Sequence, residues 1–282
     1  MKILNRLFVF AIGILCFTMQ TSAQGLKMPQ ASSTQTLVQD FGLSKITVVY
    51  SRPNIRGRVI FGGLVPYGEV WRTGANSATL IKLSEEITIE GKNIPAGEYG
   101  LFTIPGKNEW TIIISKGSKQ WGAYSYKEAD DLVRFKVKST SLKDKVETFT
   151  IQFTNLYQTS GSLQLAWENT SVSLNLTTDI DARVMASIEE AMKGQKKPYM
   201  QAAQYYLTNN KDLNKALEWA NAAEVEDQKA PWVKYWKARI QLKTGDKKAA
   251  AATAEAGVKL AQEAKNNEYV KLNNAILTEA KR

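Results

Sequence analysis

The side chains best equipped for chemistry in this chain are arginines, and they are crowded together. Residues 50–76 read Y-S-R-P-N-I-R-G-R-V-I-F-G-G-L-V-P-Y-G-E-V-W-R-T-G-A-N. Five arginines lie between Gln24 and Ile180, and four of them (Arg52, Arg56, Arg58 and Arg72) fall inside this window, with Glu69 as the one acid among them. A guanidinium is a planar fork of donors matched to carboxylate, phosphate or sulfate, so the cluster predicts an anion site. Arg52, Arg58 and Arg72 are its expected donors, Asn76 orients the ligand, and Tyr67 and Trp71 form apolar walls. The same residue types also serve structure. Buried loop carbonyls need donors that arginine supplies, and Glu69 can simply pair with Arg58 or Arg72.

A second patch, W-G-A-Y-S-Y, carries Trp121, Tyr124 and Tyr126, with Glu128, Asp130 and Asp131 just after it. Exposed aromatic rings stack on sugars or hold a peptide; the competing role is to fill space between a loop and a sheet. A glycosidase needs two facing carboxylates. Glu69 with Asp130 or Asp131 is the one suggestive choice, and nothing in the spacing supports it.

The chain has no histidine, and its single cysteine is Cys16. This removes the common zinc sites, a Cys–His dyad and a Ser–His–Asp triad. No glycine-rich phosphate or dinucleotide fingerprint joins a strand to a helix. No metal and no cofactor are expected, and binding is favoured over catalysis.

Lys2, Arg6, an apolar run over residues 7–19 and small residues ending at Ala23 have the layout of a secretory signal, with cleavage expected after Ala23. The run is short of the roughly 20 apolar residues that span a bilayer. The expectation is an exported protein, periplasmic or secreted, whose mature chain carries no disulfide and no transmembrane segment. The formal charge is +10, but both signs are interspersed: 17 basic against 14 acidic residues over 24–180, and 18 against 13 over 181–282. Such a surface is solvated rather than built for nucleic acid.

Two kinds of element must position these residues. From about Thr36 to Thr178 apolar residues alternate, as in Ile46, Val48, Tyr50 and again in Phe149, Ile151, Phe153. That is the period of half-buried strands. Turns are expected at E-G-K-N after Ile89, P-G-K-N-E after Ile104 and W-E-N-T after Leu165. Nine or ten short strands without intervening helices predict an antiparallel β-sandwich over 24–180, a jelly-roll-like topology being one option. The segment between the strands ending near Tyr50 and beginning near Ala78 is too apolar for disorder and should pack on the sandwich.

Beyond Asp179 the period becomes helical. Helices are expected at 182–192 (with Asp181 as cap), 198–206, 211–223, 231–242, 246–264 and 267–280, forming three antiparallel hairpins over 181–282. An offset of 34 residues aligns Ala216 with Ala250, Ala220 with Ala254 and Ala223 with Gly257. That is the tetratricopeptide period, although the motif's opening aromatics are only loosely present, in Tyr205 and Tyr235.

The string from Tyr50 to Thr79, continued by I-E-G-K-N-I-P-A-G-E-Y-G-L-F-T-I-P, E-W-T-I-I-I and W-G-A-Y, resembles the bacterial domain-of-unknown-function family 2911 over about residues 27–178. The resemblance implies an exported bacterial β domain, often followed by tetratricopeptide-like helices, with no established activity and no catalytic residues to carry over.

The expected molecule is a β domain followed by a helical array. The β domain binds an anionic or polyhydroxyl ligand, and the helical array offers a groove to a protein or peptide. The other readings are a histidine-free hydrolase of cell-envelope polymers using Glu69, and a purely structural envelope protein.

Overall fold

The computed structural model describes residues 28–282. The leader and Cys16 lie outside the described residues. The chain divides into two compact units between Thr178 and Asp179.

The first unit holds ten strands among the described residues. β1 (Ser33–Phe41), β2 (Ser44–Arg52), β3 (Ala75–Leu83), β6 (Gly97–Ile104), β7 (Glu109–Ser115) and β8 (Asp131–Lys138) form one antiparallel sheet in the order β1-β2-β3-β6-β7-β8. β4 (Ile87–Ile89), β5 (Lys92–Ile94), β9 (Thr140–Thr154) and β10 (Ser160–Thr177) form the second, in the order β5-β4-β10-β9. Alternation decides which side chains meet. Ile46, Val48, Ile81 and Leu101 of the larger sheet pack with Phe149, Ile151, Leu163 and Leu174 of the smaller in one core. Two sheets closed face to face over a shared apolar layer make a sandwich.

Local chemistry fixes the corners. Glu90 and Gly91 both take positive φ (48° and 75°), the conformation a tight two-residue hairpin demands, and they join β4 to β5 where the E-G-K-N turn is expected. The W-E-N-T turn is not there. β10 runs unbroken through it, and register shifts on either side of Glu168 (φ 54°) mark an irregularity whose extra residues lie on β9. Pairing with β9 on both sides holds the chain extended, so the irregularity bends the strand rather than reversing it. Buried Trp167, next to buried Ala166, enters the core at this point.

Between β2 and β3 the chain leaves the sheet for residues 53–74. Ile55, Ile60, Phe61, Val65 and Trp71 from this excursion are all buried in the sandwich core. Each such side chain contributes about 1.5–3 kcal/mol through burial. Main-chain bonds tie the segment to both sheets. Ile55 N donates to Glu147 O and Phe149 N to Pro53 O, on β9. Trp71 and Thr103, on β6, exchange N–H···O bonds at 2.7 and 2.9 Å.

The second unit holds six helices among the described residues: α1 (Asp181–Ala191), α2 (Tyr199–Thr208), α3 (Leu213–Glu226), α4 (Pro231–Lys243), α5 (Lys247–Glu263) and α6 (Asn267–Ala280). Asp212, Asp246 and Asn266 accept N–H bonds at the starts of α3, α5 and α6, and Pro231 opens α4 without losing a needed donor. Asp181 is not a cap. It lies inside α1, and its carboxylate accepts from Lys211 Nζ at 2.6 Å and Tyr205 Oη at 2.9 Å, bonds that hold it below the usual carboxylate range. The small residues offset by 34 positions are buried on α3 and α5. No helix among the described residues is long and apolar enough to cross a membrane.

Candidate functional site

Backbone geometry sets the arginines before any ligand is considered. Thr73 (φ 55°), Gly74 (φ 154°) and Asn76 (φ 59°) turn the chain sharply as the excursion re-enters β3. A Cβ at Gly74 would sit 3.0 Å from Ser51 O and 3.2 Å from Thr79 Oγ1, so glycine is required for this close approach to β2. Trp71 donates its Nε1 to Gly74 O at 3.1 Å and stacks on Trp167 at 5.8 Å. Arg72 is thereby held between a buried tryptophan and a constrained turn.

The four arginines then diverge. Arg52 Nε donates to Phe149 O at 3.1 Å and its terminal nitrogen to Thr150 Oγ1 at 2.8 Å. Arg58 bonds Ile55 O at 2.9 Å and Asn54 O at 2.6 Å, closing its own turn. Arg56 reaches Ala31 O. Arg72 is different: its Nε is buried without a partner, and among the described residues no acceptor meets its guanidinium. Glu69 is exposed and pairs with none of these arginines.

Arg72 lines a cavity of about 290 Å³ together with Arg58, Trp71, Asn76, Val65 and Trp167. Of the predicted site residues, the structure brings Arg58, Arg72, Trp71 and Asn76 to this cavity. Arg52 and Glu69 are not among its walls. Neither is Tyr67, whose ring instead covers Gly62, where a Cβ would approach it to 2.6 Å. Asn76 donates to Ser32 O, Ser51 Oγ and Gln30 Oε1, each at 3.3 Å.

The aromatic patch also divides. Residues 116–127 fold over the outer face of the larger sheet, where Ala123 and Tyr126 close a small second core on Ala78, Phe102 and Ile113. Tyr126 packs against Phe102 at 5.1 Å and donates its hydroxyl to Asp131, whose carboxylate also receives Arg134. Burial first, and then the Asp131 bond, push the Tyr126 phenol up to about 12. So Tyr126 fills space between loop and sheet, while Trp121 and Tyr124 stay 65% and 85% exposed.

Trp121 stands at the edge of a larger cavity, about 550 Å³, that opens where this covering stops. Val49 and Leu80 floor it, and Gln30, Ser51, Gln120 and Asn76 line it. Asn76 therefore borders both cavities. Gln30, Ser51 and Gln120 escape sequence reasoning, because a lone polar residue on a strand or loop carries no pattern until a distant segment folds beside it. Leu163, Leu165 and Trp167 alternate, which makes Trp167 legible as a buried strand residue, but its place on the wall beside Arg72 depends on the excursion folding against it.

No curated protein and no solved structure matches the chain. The family model described as "Protein of unknown function (DUF2911)" matches residues 32–176, a stretch that takes in Arg72, Asn76 and Trp121. That match covers more than half of the sequence, and the chain belongs to the DUF2911 family.

Proposed function

We propose that this is an exported binding protein whose β unit holds an anion against Arg72. One observation carries the reading: a guanidinium with a buried, unpartnered Nε on the wall of a cavity that also presents Arg58 and Asn76. A buried donor without an acceptor is costly, and a carboxylate or sulfate would supply the missing bonds in forked geometry. Trp71 and Trp167 form an apolar side that would strengthen those bonds by keeping water away. The signal-like leader supports export; a mature chain beginning at Gln24 by mass spectrometry is the check, and an intact leader after expression in an exporting host would refute it.

Arg72→Ala should weaken binding of glucuronate or sulfate by about ten- to a hundred-fold, the worth of one charge-assisted pair. Calorimetry reads the affinity and thermal denaturation the fold. If the variant melts early instead, Arg72 belongs to the scaffold. That is the purely structural reading, favoured by the main-chain bonds of Arg52, Arg56 and Arg58.

The helical unit is read as a degenerate tetratricopeptide-like array that docks a protein or peptide. Half-exposed Trp232 supports this, beside a cavity of about 320 Å³ bordered by Lys197, Tyr199, Met200 and Glu226. A photocrosslinker at position 232 should give one dominant adduct in cells; a diffuse smear or none at all would count against it.

A further inference from the structure

The larger cavity is built differently from the one beside Arg72. Its edge is set by a segment tied to β3 by main-chain bonds. Ala78 N donates to Gln120 O at 3.0 Å, Gly122 N donates to Asn76 O at 2.9 Å, and Ser77 and Trp121 pair as an isolated bridge to β3. Trp121 therefore has a fixed backbone and an indole standing in solvent. The main chain on either side is bonded to β3 while the ring itself is exposed.

The lining is rich in groups that both give and accept hydrogen bonds. Side-chain amides of Gln30, Asn76 and Gln120 and the hydroxyl of Ser51 surround an apolar floor of Val49 and Leu80. Gln120 donates Nε2 to Gly117 O at 2.9 Å, and its buried Oε1 has no hydrogen-bond donor. The charged groups at the cavity, Glu98 and Lys119, lie 3.7 Å apart and offset one another. The volume falls in the range of about 300–1,000 Å³ usual for small-ligand sites.

We propose that this cavity is a saccharide subsite. A pyranose presents a flat C–H face that fits an exposed indole, and an edge of vicinal hydroxyls that match amides in both donor and acceptor roles. A nucleotide would bring phosphate charge that the offset Glu98–Lys119 pair does not answer. Because Asn76 borders both cavities, a saccharide with a carboxylated neighbouring unit would use Trp121 for the neutral ring and Arg72 for the acid. This last clause rests on the anion reading; the Trp121 subsite does not.

The test uses the full mature chain in calorimetric titrations with three tetrasaccharides: β-linked glucose, β-linked N-acetylglucosamine and a hexuronic acid. At least one neutral sugar should bind. Trp121→Ala should weaken it about ten-fold or more with an unchanged melting midpoint, and Trp121→Phe should restore most of the affinity. Arg72→Ala should lower affinity for the acidic tetramer alone. Absence of binding to all three, or an unchanged affinity in Trp121→Ala, overturns the subsite. If Trp121→Ala weakens the sugars but Arg72→Ala leaves the acidic one untouched, the subsite stands and the anion reading falls.

Discussion

Arg52 and Arg72 look alike in the sequence and differ in what surrounds them. Arg52 satisfies the carbonyl of Phe149 and the hydroxyl of Thr150, both on β9. Arg52→Ala would leave that carbonyl without this donor and should cost about 1–3 kcal/mol of stability, measurable by urea denaturation. Affinity for sulfate should survive in the folded variant, since Arg52 is not a wall of the cavity. Loss of affinity without loss of stability would reverse the roles assigned to the two arginines. Residue type and crowding in the window were legible from the sequence, but the allocation was not. Arg52 meets a carbonyl on a strand almost a hundred positions away, Arg58 meets those of its own turn, and only Arg72 ends where no acceptor arrives.

At the scale of elements, periodicity carried most of the fold. Ile46, Val48 and Tyr50 alternate because one sheet face is buried, and that pattern survives in any tertiary setting. The stretch from Trp167 to Thr170 misleads because an irregular strand pairing and a turn use the same residue types, and only the partner strand decides between them. The small residues repeated on α3 and α5 were legible as close-packing positions. The ion cluster joining α3 to α4 was not. Glu224 accepts from both Lys234 and Lys237, all three largely buried. Burial alone would raise the Glu224 carboxyl, but the two lysines outweigh it and hold it below its ordinary value of 4.5. A depressed folded-state pKa means the contribution is present at neutral pH and is lost as pH falls below 4.5. Glu224→Gln should therefore cost about 1–3 kcal/mol at pH 7, with the gap to the parent closing in acid. Denaturation curves at pH 7 and pH 3 check this, and a constant gap would contradict it.

For the molecule as a whole, the absence of histidine has a consequence for function. Between about pH 6 and 8 no side chain at its ordinary pKa changes charge. The phenols of Tyr126 and Tyr205 are displaced the other way, to about 12. Sulfate keeps its charge over the same range, so its affinity for the protein should be flat there. A steep calorimetric pH profile would reveal a titrating group that the cavity description lacks. The chain divides into two compact units between Thr178 and Asp179, and the hydrophobic period of each reports the shape of its own core.

The wandering segment before β3 carries one more implication. It is held at one end by β9 and at the other by β6, and it contributes five apolar side chains to the layer between the sheets. Residues 53–74 are thus not a removable ornament. Grafted onto a foreign scaffold they would have no second sheet to grip, and the hollow beside Arg72 would vanish with the grip. The cavity beside Arg72 and the sandwich core share the same stretch of polymer, so neither can drift far without the other.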